Sequence, residues 1–483
     1  MTSPLFPGAR PGGLPAPARL RWPAWIAVPT LAVTLAGACS PVKVSPASSP
    51  GVVADRAVVA TGDLFDASTV RDIDVVFDAG DYGAMVEAYS ATGDKKWVEA
   101  TVTIDGVTFE RAGMRLKGNS SLRGLTRAGR AAAGEEAGTA GPAEPSTLPW
   151  LIRLDRNVAG QNYGGISELV VRANGSRTSL NEAVALELIG LAGVPTQRAV
   201  AARFSVNGSG EVLRLVVEHP DDTWRDASFG GDGVLYKAES TGDYSYRGTD
   251  PAAYENVFDQ ETGSEDDLGP LIAFLDFVNN SSDAAFASEL DRHLDVAGFA
   301  RYLAVQELVA NWDDIDGPGN NSYLHYDPAT GRMSVVSWDL NLAFGVSPGG
   351  GGGGAGPGAA GPGGGGAGPG GEPGIGLGPG PGAGGPGGRG PAGPGAGAPG
   401  GRGGGPGGRS NVLVQRFMAT SPFLALYQQA VAELRAELYG DGTASAVLDR
   451  WVSVLSSGAG DLVTAEVVTA EAAAISAYFR PTV

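Results

Sequence analysis

The chain has 483 residues, with 34 Lys and Arg against 53 Asp and Glu, a formal charge of −19, one Cys and three His. A single cysteine excludes an intramolecular disulfide framework and a Cys-rich zinc module, and three scattered histidines (His219, His293, His325) argue against a His-built metal cluster. Without a basic face the chain is not built for nucleic acid, so carboxylates and amides are the remaining metal donors, suited to Mg²⁺, Mn²⁺ or Ca²⁺.

At the N-terminus Arg10, Arg19 and Arg21 flank an apolar run from Trp22 to Leu35, which ends in Ala36-Gly37-Ala38-Cys39. That order of charge, apolar run and small residues reads as an export signal over 1–38. Pro23 and Pro29 interrupt a run already too short to span a bilayer. Cys39 stands where a bacterial lipoprotein is lipidated, and cleavage after Ala38 would instead free the chain. Both outcomes place the mature protein outside the cytoplasm, with 39–71 as a tether and any membrane contact through an N-terminal lipid.

From Asp72 apolar and polar residues alternate (Ile73, Val75, Phe77), and Trp97 to Phe109 holds two strand-like runs around an Asp105-Gly106 turn. A strand over 113–117 enters the polar loop Gly118-Asn119-Ser120-Ser121, then a low-complexity loop over 127–145, and Trp150 to Leu154 resumes the sheet. Ser179 reads as the N-cap of a helix from Leu180 to Leu191, ended by Gly193 and Pro195. Strands over 199–206 and 212–218 follow, joined at Asn207-Gly208. Beyond Gly230 helices dominate, over 268–278, 284–290 and 296–311. A hairpin (323–326 and 333–338) and further helices (421–438 and 444–455) come later. Between them, 349–408 holds 36 of the 77 glycines and 11 prolines. It reads as a disordered insertion in one folded unit, whose deletion should leave the fold intact. The expectation is α+β: a mostly β N-lobe (72–230) with one helix, a mostly helical C-lobe from 231, completed by 410–483, and a cleft between them.

The chemistry concentrates at Asn311-Trp312-Asp313-Asp314-Ile315-Asp316 through Asn320-Asn321, and at Ser337-Trp338-Asp339-Leu340-Asn341. The hairpin between the two blocks reverses the chain, so Asp339 can lie beside Asp313 and Asn321. Two carboxylates and an amide within reach match a hard-cation site of the kind phosphoryl transfer uses, while the spacing by itself more often describes a solvated acidic turn.

Five segments in order carry a resemblance: Lys117-Gly118-Asn119-Ser120-Ser121; Leu180-Asn181-Glu182-Ala183; Gly233-Val234-Leu235-Tyr236-Lys237; Asn311-Trp312-Asp313 with Asn321-Ser322-Tyr323-Leu324; and Trp338-Asp339-Leu340-Asn341. Together the chain resembles the CotH (spore coat protein H) family of atypical protein kinases over about 72–345. The resemblance implies a reduced, two-lobed kinase-like fold and ATP-dependent, Mg²⁺- or Mn²⁺-assisted phosphorylation of Ser or Thr in an exported or coat protein. Asp313 would be the catalytic-loop aspartate. Asp316 competes for that role, because it stands five residues before Asn321, the separation in H-R-D-x-x-x-x-N. Asn321 and Asp339 would hold the metal. Lys117 or Lys237 would supply the phosphate-facing cation, with Glu182 as the helix carboxylate that orients it. Asn119 and Ser120 would offer loop N–H groups to phosphate, and Glu218 would stand near the nucleotide, although a structural strand-end charge is the favoured reading there. Two further readings stay open: a catalytically silent cell-envelope binding or structural protein on the same fold, and a phosphotransferase acting on a non-protein envelope acceptor.

Overall fold

The alternation of buried and exposed residues along the first strands closes them into a barrel. This is seen in a computed structural model that describes residues 57–118, 120–125, 144–239, 242–263, 267–311, 313–316, 321–346 and 411–479. In chain order the first part contains β1 (Val59–Ala60), β2 (Val70–Phe77), α1 (Ala79–Thr92), β3 (Val98–Ile104), β4 (Val107–Leu116), β5 (Trp150–Arg153), β6 (Asn162–Tyr163), β7 (Glu168–Val171), α2 (Leu180–Leu191), β8 (Ala199–Val206) and β9 (Val212–Glu218). The barrel runs β2-β3-β4-β5-β7-β9-β8, and the parallel pairing of β8 with β2 closes it. Asp105-Gly106 and Asn207-Gly208 adopt positive φ at both residues, the backbone that tight hairpins need.

Along β3, Val98, Ala100, Val102 and Ile104 point into the barrel, which also buries Phe77, Phe109, Trp150 and Phe204. β8 is apolar on both faces for a reason visible in the packing. Val200, Ala202 and Phe204 fill the barrel, whereas Ala199 and Ala201 join the core around α2. α2 is correspondingly buried almost all round, with Leu180, Ala183, Val184, Leu186, Leu188 and Ile189 at 2% exposure or less.

The second part contains α3 (Asp222–Phe229), β10 (Val234–Ala238), β11 (Phe258–Gln260), α4 (Gly269–Asn280), α5 (Asp283–Glu289), α6 (Val296–Leu308), β12 (Ser322–Asp327), β13 (Arg332–Ser337), α7 (Val412–Ala419), α8 (Ser421–Leu434), α9 (Thr443–Gly458) and α10 (Ala465–Ser476). An antiparallel sheet β11-β10-β12-β13 sits among these helices. Phe344, before the glycine-rich stretch, and Leu413, after it, belong to one core. The stretch itself lies outside the described residues. Among the described residues no helix is long and apolar enough to cross a membrane.

The structure corrects four expectations. The barrel half has more than one helix: Tyr82, Met85 and Tyr89 of α1 pack into the barrel core, a spacing masked in the sequence by Gly80 and Gly83. The half beyond residue 230 adds two strands to its expected hairpin, β10 with Lys237 pairing with β12 on one side and β11 on the other. Ser179 precedes α2 with φ +55 and makes no side-chain cap; Thr178 Oγ1 accepts from Leu180 N at 3.2 Å instead. The helix expected to reach Asn311 stops at Leu308, since Ala310 turns left-handed at φ +46.

Candidate functional site

Three segments deliver an ion triad in which Arg172 and Glu182 are buried and Asp339 is partly exposed. Arg172 follows β7 directly, Glu182 lies in the first turn of α2, and Asp339 follows Trp338 at the end of β13. Arg172 Nε stands 2.9 Å from Glu182 Oε1, and its Nη2 donates to Asp339 Oδ1. Burial opposes the charge on Arg172, and the two carboxylates more than offset this, holding its ionisation above the ordinary value. Burial also pushes the Glu182 carboxyl up, against the pull of Arg172. Asp339 itself is held at φ +61, a backbone that a non-glycine residue adopts only when its surroundings impose it. Close packing supplies that constraint: Asn181 Nδ2 donates to the Asn341 carbonyl at 2.7 Å, and a Cβ on Gly175 would stand 3.1 Å from the same oxygen. From α10, Glu471 accepts from Ser176 Oγ (2.9 Å), Arg177 N (2.9 Å), Thr178 N (3.1 Å) and Thr178 Oγ1, pinning the loop before α2.

The second group is Asp313 with Asn321. Asn321 Nδ2 donates to Asp313 Oδ2 at 2.7 Å and to the Asp313 carbonyl at 3.0 Å. Burial, and then the charge of Asp339, raise the Asp313 carboxyl to about 6. A buried amide relay ties this loop to β13: Gln306 Nε2 donates to Ser337 Oγ at 2.8 Å, and Asn311 Nδ2 donates to Gln306 Oε1 at 3.0 Å. Asp316 is placed differently. Its N–H donates to the Asp314 carboxylate at 2.9 Å, and its charge bears on the buried Tyr302 hydroxyl.

The remaining predicted residues separate. Lys117, just past β4, reaches His219 Nε2 at 3.1 Å and stands 5.9 Å from the centre of the Trp338 ring; Arg172 stands 5.5 Å from the same ring. Gly118 turns at φ +99, so this motif needs its glycine for the backbone. Lys237 is held by Glu239 at 2.9 Å and by the Ala238 carbonyl at 3.2 Å. Glu218 is held by Arg198, at 2.6 Å to Nη2 and 2.8 Å to the backbone N–H, the structural role favoured for it. Neither lysine pairs with Glu182; the helix glutamate takes Arg172. Asn119 and Cys39 lie outside the described residues, as does the side chain of Ser120.

Sequence reading missed Arg172, His219, Glu168 and Glu261. Arg172 had a usable signal, a cation directly after the apolar run Leu169-Val170-Val171, where a buried strand delivers its next residue to the sheet edge. His219, at the end of β9, carried the same kind of signal.

A divalent cation that keeps its waters and shares phosphate oxygens needs only one or two protein carboxylates. Asp339 is paired through one oxygen, Asp313 faces its charge, and Asn321 spends only its N–H on Asp313, leaving the amide oxygen as a donor. That donor set fits such an ion. Among the described residues no cluster of three or more His, Cys, Asp and Glu side chains is spaced to hold a metal by itself.

Comparison with protein-family models matches the CotH kinase protein family over residues 146–460. This is more than half of the chain, and the chain belongs to that family. The match takes in four of the five motifs and leaves out Lys117-Gly118-Asn119-Ser120-Ser121. Among curated proteins the chain is similar to inner spore coat protein H of Bacillus subtilis (strain 168), 25% identical over 191 residues, which is 38% of this chain and 52% of that protein. The chain thus spans about half the length of the curated relative it matches.

Proposed function

We propose that this chain is a metal-dependent phosphotransferase that passes the γ-phosphoryl group of ATP to a Ser or Thr hydroxyl of an exported or coat protein. The observation that carries the reading is the Arg172–Glu182–Asp339 triad together with the Asp313–Asn321 pair, close enough for the charge of Asp339 to act on the Asp313 carboxyl. Kinase-type transfer asks for positioning and charge more than for covalent chemistry. Arg172 keeps its charge at every working pH and, as the partner of the helix glutamate Glu182, takes in that pairing the place that a lysine holds in ordinary kinases. Asp313 accepts the acceptor hydroxyl proton as that oxygen takes the γ-phosphorus and ADP leaves. A carboxyl raised to about 6 is a better proton acceptor than an ordinary aspartate while still ionised at pH 7. Asn321 fixes its orientation. Mg²⁺ or Mn²⁺, held by Asp339 and Asn321, would supply charge neutralisation of the phosphate oxygens. The export signal and the name of the spore coat relative support a location outside the cytoplasm.

The test is incubation of purified protein with γ-labelled ATP and Mg²⁺ or Mn²⁺, beside Asp339→Ala and Asp313→Ala. Label on the protein or on an added Ser-rich substrate should fall on the order of a hundredfold or more in both variants. Absence of label, together with no metal-dependent thermal shift from ATP, would transfer the assignment to a catalytically silent envelope protein.

A further inference from the structure

Lys117 is buried between the barrel and the four-stranded sheet, yet its ammonium has an unusual partner. A buried lysine is ordinarily matched by a carboxylate within hydrogen-bonding distance. Among the described residues the nearest one, Glu261 Oε1, is 4.0 Å away, and the closest acceptor is His219 Nε2 at 3.1 Å. On its other side His219 Nδ1 stands 2.9 Å from Glu168 Oε2, and Glu168 Oε1 stands 3.4 Å from Arg153 Nε.

The protons in this chain follow from its two ends. A carboxylate only accepts and an ammonium only donates. With Lys117 as an ammonium, Nε2 is the bare nitrogen that accepts from it, and the ring proton lies on Nδ1, on the side of Glu168. The imidazole is thus neutral, in a single tautomer. Burial, and then the positive charge of Lys117, hold it neutral below its ordinary ionisation range. A neutral acceptor spends one of the three ammonium N–H bonds and none of the charge. The surrounding charges are Glu261, Lys237, Arg115 and Lys95 about Lys117, with Arg153 and Asp221 beyond Glu168.

We propose that the Glu168–His219 pair is a positioning device for Lys117, presenting its ammonium, still charged, to the phosphate chain of the nucleotide. This rests on the phosphotransferase reading above. Trp338 places the lysine on that site, because its ring lies against both Lys117 and Arg172 and the next residue is Asp339. His219 touches no substrate; it acts through the lysine. The phosphate-facing role of Lys117 was already implied by the resemblance, whereas its positioning by His219 and Glu168 is read from this chain's own geometry.

The experiment measures binding of ATP, and of inorganic triphosphate, by calorimetry with and without Mg²⁺, alongside KM and kcat. His219→Ala and Lys117→Met should each weaken ATP about tenfold, the size of one hydrogen bond to a charged group, and raise KM while kcat changes less than threefold. His219→Gln, which can accept from Lys117 and donate to Glu168 while never titrating, should restore affinity to within threefold. It should also remove the weakening of ATP that the native protein shows on acidification, since protonated His219 has no lone pair for Lys117. Melting without nucleotide identifies a variant that fails to fold; His219→Gln then decides through its pH profile. If His219→Ala and Lys117→Met bind ATP as the native protein does, while Asp339→Ala abolishes labelling, this proposal falls and the kinase reading stands. If the native protein binds neither ATP nor triphosphate, both fall.

Discussion

Arg172 and Lys117 lie against the same indole, and the protein holds them in opposite ways. Arg172 is gripped by two carboxylates, Glu182 and Asp339, so its charge is matched and its geometry fixed. Lys117 is gripped by a neutral imidazole, with its nearest carboxylate among the described residues beyond hydrogen-bonding distance. The difference separates two uses of a buried cation. A matched cation organises the residues around it, and an undermatched one is ready for an anion from outside. The first is a matter of stability, the second of affinity, and substitutions should divide along that line.

The largest effect should come from breaking the matched side. Arg172→Met leaves Glu182, 3% exposed at its side chain, without a counter-charge, and stranding such a group costs roughly 3–5 kcal/mol. Chemical denaturation should register that loss, whereas Lys117→Met should stay within about 1 kcal/mol of the native protein. Equal losses in the two would erase the distinction.

A smaller effect has a pH signature. The Asp313 carboxyl is raised to about 6 from an ordinary 3.8, by burial first and the charge of Asp339 second. The folded state therefore binds its proton more tightly than the unfolded state does. The resulting stability cost is absent below about pH 4, grows between pH 4 and 6, and is complete above that. Asp313→Asn removes it, so the variant should be more stable than the native protein at pH 7, on the order of 1 kcal/mol, and equal to it at pH 4. Phosphoryl transfer should be lost at both. A stability difference that does not change with pH would mean that Asp313 is not desolvated by its site.

An effect of similar size bears on the matched side alone. Glu471 collects four hydrogen bonds from 176–178, the loop that launches the helix bearing Glu182. Glu471→Gln should cost about 1–2 kcal/mol and lower kcat, with ATP affinity at the Lys117 side kept within twofold. A change confined to affinity would place Glu471 on the wrong side of the comparison.

Much of this was readable beforehand because it depends on short-range rules. Alternation along 98–104 and the Asn-Gly and Asp-Gly turns determine hairpins through backbone sterics and a two-residue period, and the barrel strands lie where those signals put them. Asp313 and Asn321 were readable as partners because eight residues of loop can close on themselves. The five-residue spacing pointed equally to Asp316, and no rule along the chain foretells that Asn321 donates to the Asp313 carboxylate, as it does in the fold. α1 was hidden because its two early glycines are poor helix formers, and its three buried side chains declare themselves only once there is a barrel core to receive them.

The sequence by itself determined the residue types available for chemistry: no cysteine or histidine cluster, an acidic balance, and carboxylates and amides gathered around a hairpin. It also determined the local elements that would present them. Only the tertiary structure decided which cation met which carboxylate. Arg172 and Asp339 are 167 positions apart, and Lys117 and His219 are 102 apart. Electrostatic pairing depends on distance in space and on desolvation, neither of which is encoded in a residue's neighbours along the chain. Glu182 was expected to take a lysine and took Arg172, because β7 ends beside α2 and delivers that guanidinium there first.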